Sequence, residues 1–142
     1  MFRSFLFVPG DRPERFDKAA RSGADAVCID LEDAVAPSNK AAARKEALAF
    51  LSDGGARAVK IGLRVNTLEM AEGLRDALAL IDSAARPDFV LAPKVRGRAE
   101  VEQLRALLGS RAAPWALMET PEALRDVAAL GDGVGEAGGV VF

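Results

Sequence analysis

The sequence predicts an α/β fold of the (β/α)8-barrel kind, a TIM barrel, of which about the first five and a half βα units fall within its 142 residues. Three observations predict it. Short, continuously apolar runs alternate with amphipathic segments, as for strands buried on both faces of a parallel sheet. Glycines punctuate the ends of the amphipathic segments, where helix caps belong. Polar or charged residues follow one run after another, which in a closed sheet gathers them on a single rim.

The elements follow in order. The first run, Phe5–Val8, leads into Pro9-Gly10-Asp11-Arg12, and Pro13 suits the first position of a helix that Gly23 ends. The second, Ala26–Ile29, holds Cys28 as a small buried strand residue and is followed by Asp30-Leu31-Glu32-Asp33; Gly54-Gly55 close the next helix. The third, Ile61–Val65, carries Arg64, with Asn66 as the expected cap of a helix on which Leu74, Leu78 and Ile81 recur at helical spacing. The fourth, Phe89–Ala92, precedes Pro93-Lys94 and a helix marked by Val101, Leu104, Leu108 and Gly109. The fifth, Trp115–Met118, places Trp115 in the core and ends on Glu119; Thr120 and Pro121 read as cap and first turn of a helix with Leu124, Val127, Ala128 and Gly131. The sixth is Val140–Phe142. No linker, repeat or low-complexity segment interrupts this order, so residues 1–142 are expected to be the N-terminal part of one barrel domain. A complete barrel takes about 250 residues. A doubly wound sheet would use only the crevice at its switch point, and no glycine-rich phosphate fingerprint follows the first strand.

Composition narrows the function. Half the residues are hydrophobic and the net charge is −2, with no basic block that would suit nucleic acid. No apolar run approaches the roughly 20 residues of a membrane span, and the apolar part of the N-terminus is too short for a signal peptide. With one cysteine there is no disulfide framework, and a cytoplasmic location is expected. There is no histidine, which removes Ser-His-Asp triads, Cys-His pairs and histidine-bound zinc from this chain. A metal here must rest on oxygen, which favours Mg²⁺.

The candidate catalytic residues are Asp30, Glu32 and Asp33. If the strand continues through them, alternation sends Asp30 and Glu32 to one side and Leu31 and Asp33 to the other. Crowded carboxylates raise one another's pKa, which suits proton transfer or water-mediated support of a metal. The plainer reading is a solvated loop with a helix cap. Arg64 suits a bidentate grip on a substrate carboxylate, or a structural salt bridge to the acidic cluster. Lys94 reads either as a Schiff-base lysine or as a cation offsetting the acidic ring; the second ranks higher, because Arg64 and the carboxylates already describe a metal-and-anion site. Glu119 suits an oxygen ligand for Mg²⁺, or a charge paired with Lys94 or Arg64. Arg12 and Arg15 beside a helix start suit an anion such as a phosphate, or simple surface solvation. Arg64, Glu119, Lys94 and Arg12 together form the expected substrate-binding set.

The motifs Phe5-Leu6-Phe7-Val8-Pro9-Gly10, Asp30-Leu31-Glu32-Asp33-Ala34-Val35, Arg64-Val65-Asn66, Pro93-Lys94 and Glu119-Thr120 resemble the citrate lyase beta-subunit-like family of the HpcH/HpaI aldolase superfamily, in order along essentially the whole chain. The resemblance implies a (β/α)8 barrel, assembled as a homotrimer or homohexamer, that cleaves or forms 3-hydroxyacyl thioesters with Mg²⁺. It implies that Arg64 grips the substrate carboxylate and Glu119 is one metal ligand, the second being an Asp expected just after Phe142. The implied reaction is a reversible Claisen-type cleavage of a malyl-, citramalyl- or citryl-type CoA thioester to a 2-oxoacid and a thioester. Asp11-Arg12-Pro13-Glu14-Arg15 looks more like the stand-alone members than the subunit of the citrate lyase complex. Two other readings stay open: a Mg²⁺ aldolase acting on free hydroxyacids, and a non-catalytic homologue that binds a CoA ester.

Overall fold

A computed structural model describes residues 2–53, 58–136 and 138–142. Six strands form one sheet: β1 (Phe5–Pro9), β2 (Ala26–Asp30), β3 (Lys60–Arg64), β4 (Phe89–Ala92), β5 (Ala113–Leu117) and β6 (Gly139–Val141). Every neighbouring pair is parallel, and the strands lie in sequence order from β1 to β6. The helices between them are α1 (Phe16–Ala20), α2 (Lys40–Ser52), α3 (Ala71–Asp82), α4 (Arg98–Leu108), α5 (Pro121–Arg125) and α6 (Val127–Val134). The six expected strands are all present, with ends shifted by one or two residues.

Alternation along the strands divides the apolar residues between two cores. Val8, Val27, Ile29, Ile61, Leu63, Val90 and Ala116 face the helices and join their apolar residues. Ala26, Cys28, Phe89 and Leu91 face the other way, with Phe5, Trp115, Leu117 and Val141 packed against them. That second face is concave. Phe5 on β1 and Trp115 on β5 lie with ring centroids 6.2 Å apart, whereas four strand spacings in a flat sheet would separate their strands by about 19 Å. The sheet therefore curls around an aromatic filling. Gly62 makes room for it: a Cβ there would come within 2.1 Å of the Phe89 ring. Each large side chain buried on either face contributes roughly 1.5–3 kcal/mol.

Two helical faces differ from the expectation. Val101, Leu104 and Leu108 are buried on α4 as the spacing predicts. On α3 the buried positions are Gly73, Asp76, Ala77 and Leu80, while Leu74 and Leu78 are exposed. The period is right and the face is rotated, because α3 turns a carboxylate and a glycine inward rather than its leucines. The segment after Thr120 breaks at Asp126, whose side chain accepts from the Ala129 amide and starts α6. The break exposes Leu124 and Val127 and buries Ala123, Leu130 and Val134. Gly131 lies inside α6, and Gly135, with φ of 71°, follows its end instead. Gly54-Gly55 fall outside the described residues.

Candidate active site at the C-terminal strand ends

Asp30 and Arg64 are the last residues of β2 and β3, and they are register partners. Parallel partners point to the same side, so the carboxylate and the guanidinium meet. Arg64 Nε donates to Asp30 Oδ1 at 2.7 Å and Nη2 to Oδ2 at 2.5 Å, a two-pronged pair. Asp30 is buried, to 1% exposure, and Arg64 is nearly so, with 11% of its side chain exposed. The Phe7 ring lies 5.2 Å from the guanidinium carbon, which adds a cation–π contact. Burial opposes the charge on Arg64, but the hydrogen bonds and charges of Asp30, with those of Glu32 and Asp33, outweigh it and hold its pKa above the ordinary value.

Asp30 also makes the turn. Its Oδ1 accepts from the Glu32 amide at 2.8 Å and its Oδ2 from the Ala34 amide at 3.1 Å. With all four contacts made, the Asp30 carboxylate is fixed in place. The strand stops there, so the expected alternation stops too: Leu31 enters the helix-side core and Glu32 turns to Arg64, but Asp33 is not sent to the opposite side. Lys94 Nζ hydrogen-bonds both Glu32 Oε1 and Asp33, the latter at 2.9 Å. The acidic triplet is thus one cluster bridged by two cations.

Within it the carboxylates differ. Glu32 is buried, and burial raises its pKa against the opposing pull of Lys94 and Arg64. Its Oε2 sits 3.1 Å from Arg64 Nη1 but out of hydrogen-bonding line, so it is buried without a hydrogen-bond partner. Asp33 is exposed, and its hydrogen bond from Lys94 lowers its pKa. Lys94 has its own pKa raised, first by the hydrogen bond to Glu32, and its ammonium pairs with two carboxylates. Its backbone is left-handed, φ 51°, the one such non-glycine residue among those described. That strained geometry is held from two sides, because the Lys94 amide donates to Glu119 Oε1 at 2.8 Å.

Glu119 does not end β5, which stops at Leu117; it lies two residues on, exposed at the rim. Among the described residues it makes no ion pair, with Lys94 reaching it by its amide and not its ammonium. Thr120 caps α5 as expected, accepting from the Ala123 amide at 3.1 Å, and its hydroxyl donates to Val95 O at 2.6 Å. Arg12 is more than half exposed, 4.0 Å from Asp11, and does not reach the cluster. Asn66 does not cap α3. It is buried, and its Nδ2 donates to Leu31 O at 2.9 Å and to Asp76 Oδ2 at 2.7 Å.

The sequence reading missed the layer behind the site. Arg44 of α2 donates from Nε to Asp76 at 2.6 Å, and from Nη2 to Glu72 at 2.5 Å. Asp76, 1% exposed, also accepts from the Asn66 amide at 2.8 Å. Lys40 Nζ donates to Leu31 O at 2.8 Å and Glu32 O at 2.7 Å. A signal was available: Arg44 sits among Ala43, Ala47, Leu48 and Leu51 on the buried face of α2, and a charge there requires a partner.

The donors at the rim are oxygens only. That fits a hard cation in kind, and Glu119, which makes no ion pair among the described residues, has an oxygen to spare. The number is incomplete: among the described residues no three side chains form a metal-holding group.

Residues 3–114 match the HpcH/HpaI aldolase/citrate lyase family. The chain belongs to that family. It is 38% identical over 109 residues to an L-malyl-CoA/beta-methylmalyl-CoA lyase of Cereibacter sphaeroides, covering 75% of this chain and 34% of that protein. It is 37% identical over 129 residues to a (3S)-malyl-CoA thioesterase of the same species, covering 89% and 44%. Among solved structures, the citrate lyase beta subunit of M. tuberculosis complexed with oxaloacetate and magnesium superposes with a TM-score of 0.76 at 34% identity, over 96% of this chain and 55% of that one. RipC from Yersinia pestis superposes with a TM-score of 0.80 at 28% identity, over 99% and 57%. The chain thus spans between a third and a half of the curated relatives it matches. No helix among the described residues is long and apolar enough to cross a membrane.

Proposed function

We propose that this chain carries the rim of a carbon–carbon lyase that cleaves or forms a 3-hydroxyacyl-CoA thioester of the malyl, citramalyl or citryl type. The observation that carries the reading is the bridged cluster Asp30–Arg64–Glu32–Lys94–Asp33, with Glu119 beside it, on one rim of a curled parallel sheet. The malyl-CoA names of the relatives and the magnesium and coenzyme A complexes of the M. tuberculosis protein support it. The barrel belongs to the same proposal: sequential parallel order and strong curl are the start of a closed (β/α)8 sheet. So does assembly as a homotrimer or homohexamer in the cytoplasm.

Each residue has a role in this reaction. Arg64, aligned by Asp30, presents its guanidinium to the substrate carboxylate. Glu119 would hold Mg²⁺ together with a ligand outside these residues. Bound there, Mg²⁺ would supply positive charge to the carboxylate and hydroxyl oxygens of the substrate. Glu32, with its raised pKa and an Oε2 that accepts no hydrogen bond, takes the hydroxyl proton. As that hydroxyl becomes the carbonyl of the 2-oxoacid, the carbon–carbon bond breaks and its electron pair passes to the thioester fragment. Lys94, as an ammonium, balances the charge on Glu32 and Asp33 and forms no bond to substrate. Arg12 remains a candidate for the CoA phosphates.

The test is turnover of malyl-CoA by the full-length protein with Mg²⁺, with EDTA, and against free malate, followed by borohydride in the presence of product. Cleavage that needs both the CoA moiety and Mg²⁺, and leaves Lys94 unmodified, is expected. Equal turnover of the free acid, or an adduct on Lys94, overturns the reading.

A further inference from the structure

The turn that presents Glu32 and Asp33 lies beyond the last ladder position of β2, and the sheet's last hold on it is the Leu31 amide, which donates to Arg64 O at 2.9 Å. Within the turn Val35 N donates to Glu32 O at 3.2 Å, and further groups hold it from outside. On the rim side, the Asp30 carboxylate takes the amides of Glu32 and Ala34. On the helix side, Lys40 at the start of α2 places one ammonium on two successive carbonyls, Leu31 O at 2.8 Å and Glu32 O at 2.7 Å. Asn66 Nδ2 adds a second donor to Leu31 O. Asn66 is held by Asp76, and Asp76 by Arg44, one helical turn along α2 from Lys40. One face of α2 therefore grips the turn twice, directly through Lys40 and indirectly through Arg44, Asp76 and Asn66.

Lys40 is unusual among the lysines and arginines near the site. Among the described residues it makes no ion pair; its hydrogen bonds go to carbonyls alone. A lysine that only solubilised the surface would leave its ammonium in water, and one that only neutralised charge would sit on a carboxylate. Fixing two adjacent peptide planes instead fixes the direction in which the Glu32 side chain leaves the backbone.

We infer that Lys40 is a positioning residue: it locks the Leu31–Glu32 peptides from behind, so that the Glu32 carboxylate is held between Arg64 and Lys94. The functional half of this inference rests on the lyase reading above; the structural half does not. An error of an ångström in placing a reacting group can cost about a hundredfold in rate, so the lock has leverage without touching substrate.

The test uses full-length protein carrying Lys40→Met, Lys40→Gln or Lys40→Arg, with Lys45→Met on the exposed side of α2 as control. Hydrogen exchange is followed over residues 31–36, together with kcat and KM for malyl-CoA. Lys40→Met is expected to speed exchange over 31–36 about tenfold while the β2 and β4 amides keep their protection. It should lower kcat about tenfold or more with KM moving less than about threefold, and Lys40→Arg should recover most of both. Unchanged exchange over 31–36, or an equal effect from Lys45→Met, overturns the inference. Faster exchange across the whole sheet in both Lys40→Met and Lys40→Gln makes Lys40 a general stability residue and also overturns it. If the unsubstituted protein cleaves no thioester, the lyase reading fails, and exchange over 31–36 alone decides whether Lys40 locks the turn.

Discussion

The two ends of the sheet use the same residue types for different ends. At the N-terminal end, Arg3 clasps Asp25 at 2.8 Å and Lys60 clasps Asp88 at 2.7 Å. Each pair ties one strand to the next: Asp25 also takes the Arg3 and Ser4 amides, and Asp88 takes the Ile61 amide. The two cations of these staples stand in water, Arg3 with 87% and Lys60 with 62% of the side chain exposed. At the C-terminal end Asp30, Glu32 and Arg64 are all but buried, and the charges form one connected group rather than separate pairs. Exposed pairs are individually weak and screened by salt. A buried network is costly to assemble and costly to break, because removing one member strands another without water. Two carboxylates and a guanidinium nearly out of water, with Asp33 and Lys94 at their exposed edge, are costly to hold for stability alone. This contrast between the two ends can be broken experimentally.

The largest effect is expected from Arg64→Lys in the full-length protein. The charge stays and the planar fork is lost, with one good charged hydrogen bond worth about 1.5–3 kcal/mol. That corresponds to about tenfold or more in kcat/KM, since each 1.36 kcal/mol is about tenfold. Steady-state kinetics on malyl-CoA checks it, and a loss under twofold would remove Arg64 from the substrate.

Glu32→Gln should separate stability from activity. Burial holds the Glu32 pKa above its ordinary value, so the folded state binds a proton more readily than the unfolded chain. The stabilising contribution of that proton is complete below the ordinary value of 4.5 and is lost as pH rises through the raised one. Above it the ionised group opposes folding. The amide is therefore expected to raise Tm at pH 8, by about 2–4 °C for each kcal/mol relieved, and to give little gain at pH 4. Turnover should fall at the same time, as for a strained functional group. Melting curves across that pH range decide; a variant that melts lower at pH 8 than at pH 4 relative to the parent contradicts the burial account.

The smallest effect belongs to the opposite end. The hydrogen bonds from Arg3 hold the Asp25 pKa well below the usual carboxylate range, so its contribution is present at neutral pH and is lost on strong acidification. Because the pair is exposed, Asp25→Asn should shift Tm by only about a degree or two in physiological salt and leave turnover unchanged. A tenfold loss of activity from Asp25→Asn would erase the distinction between the two ends.

Much of this was legible in the sequence, and what was not has a physical pattern. The strands were visible because a sheet buried on both faces writes continuous apolar runs, and the charge cluster of the candidate site was visible because its charges sit where those runs stop. Helix faces were misjudged where a charge was buried: Asp76 and Arg44 turn α3 and α2 toward each other, so Leu74 and Leu78 point outward although they carry the apolar period. Asp33 was misplaced because alternation was extended past Asp30, whose own side chain closes the turn. Asn66 was read from its local sequence as a cap, whereas its partners, Leu31 and Asp76, lie on other elements. Lys40 left no local sign at all, since backbone carbonyls eight or nine residues back have no letter in the sequence.

The central claim is that this rim divides its work, with Glu119 serving the metal and Arg64 the carboxylate. Activity titrated against Mg²⁺ for Glu119→Gln and Arg64→Lys, both in the full-length protein, tests it most directly. Glu119→Gln keeps the shape and loses the negative charge that a hard cation prefers, so its Mg²⁺ midpoint should rise about tenfold or more, with excess Mg²⁺ restoring part of the activity. Arg64→Lys should keep the parent midpoint and stay slow at every Mg²⁺ concentration. An unchanged midpoint in Glu119→Gln, or an equal shift in Arg64→Lys, would contradict the division.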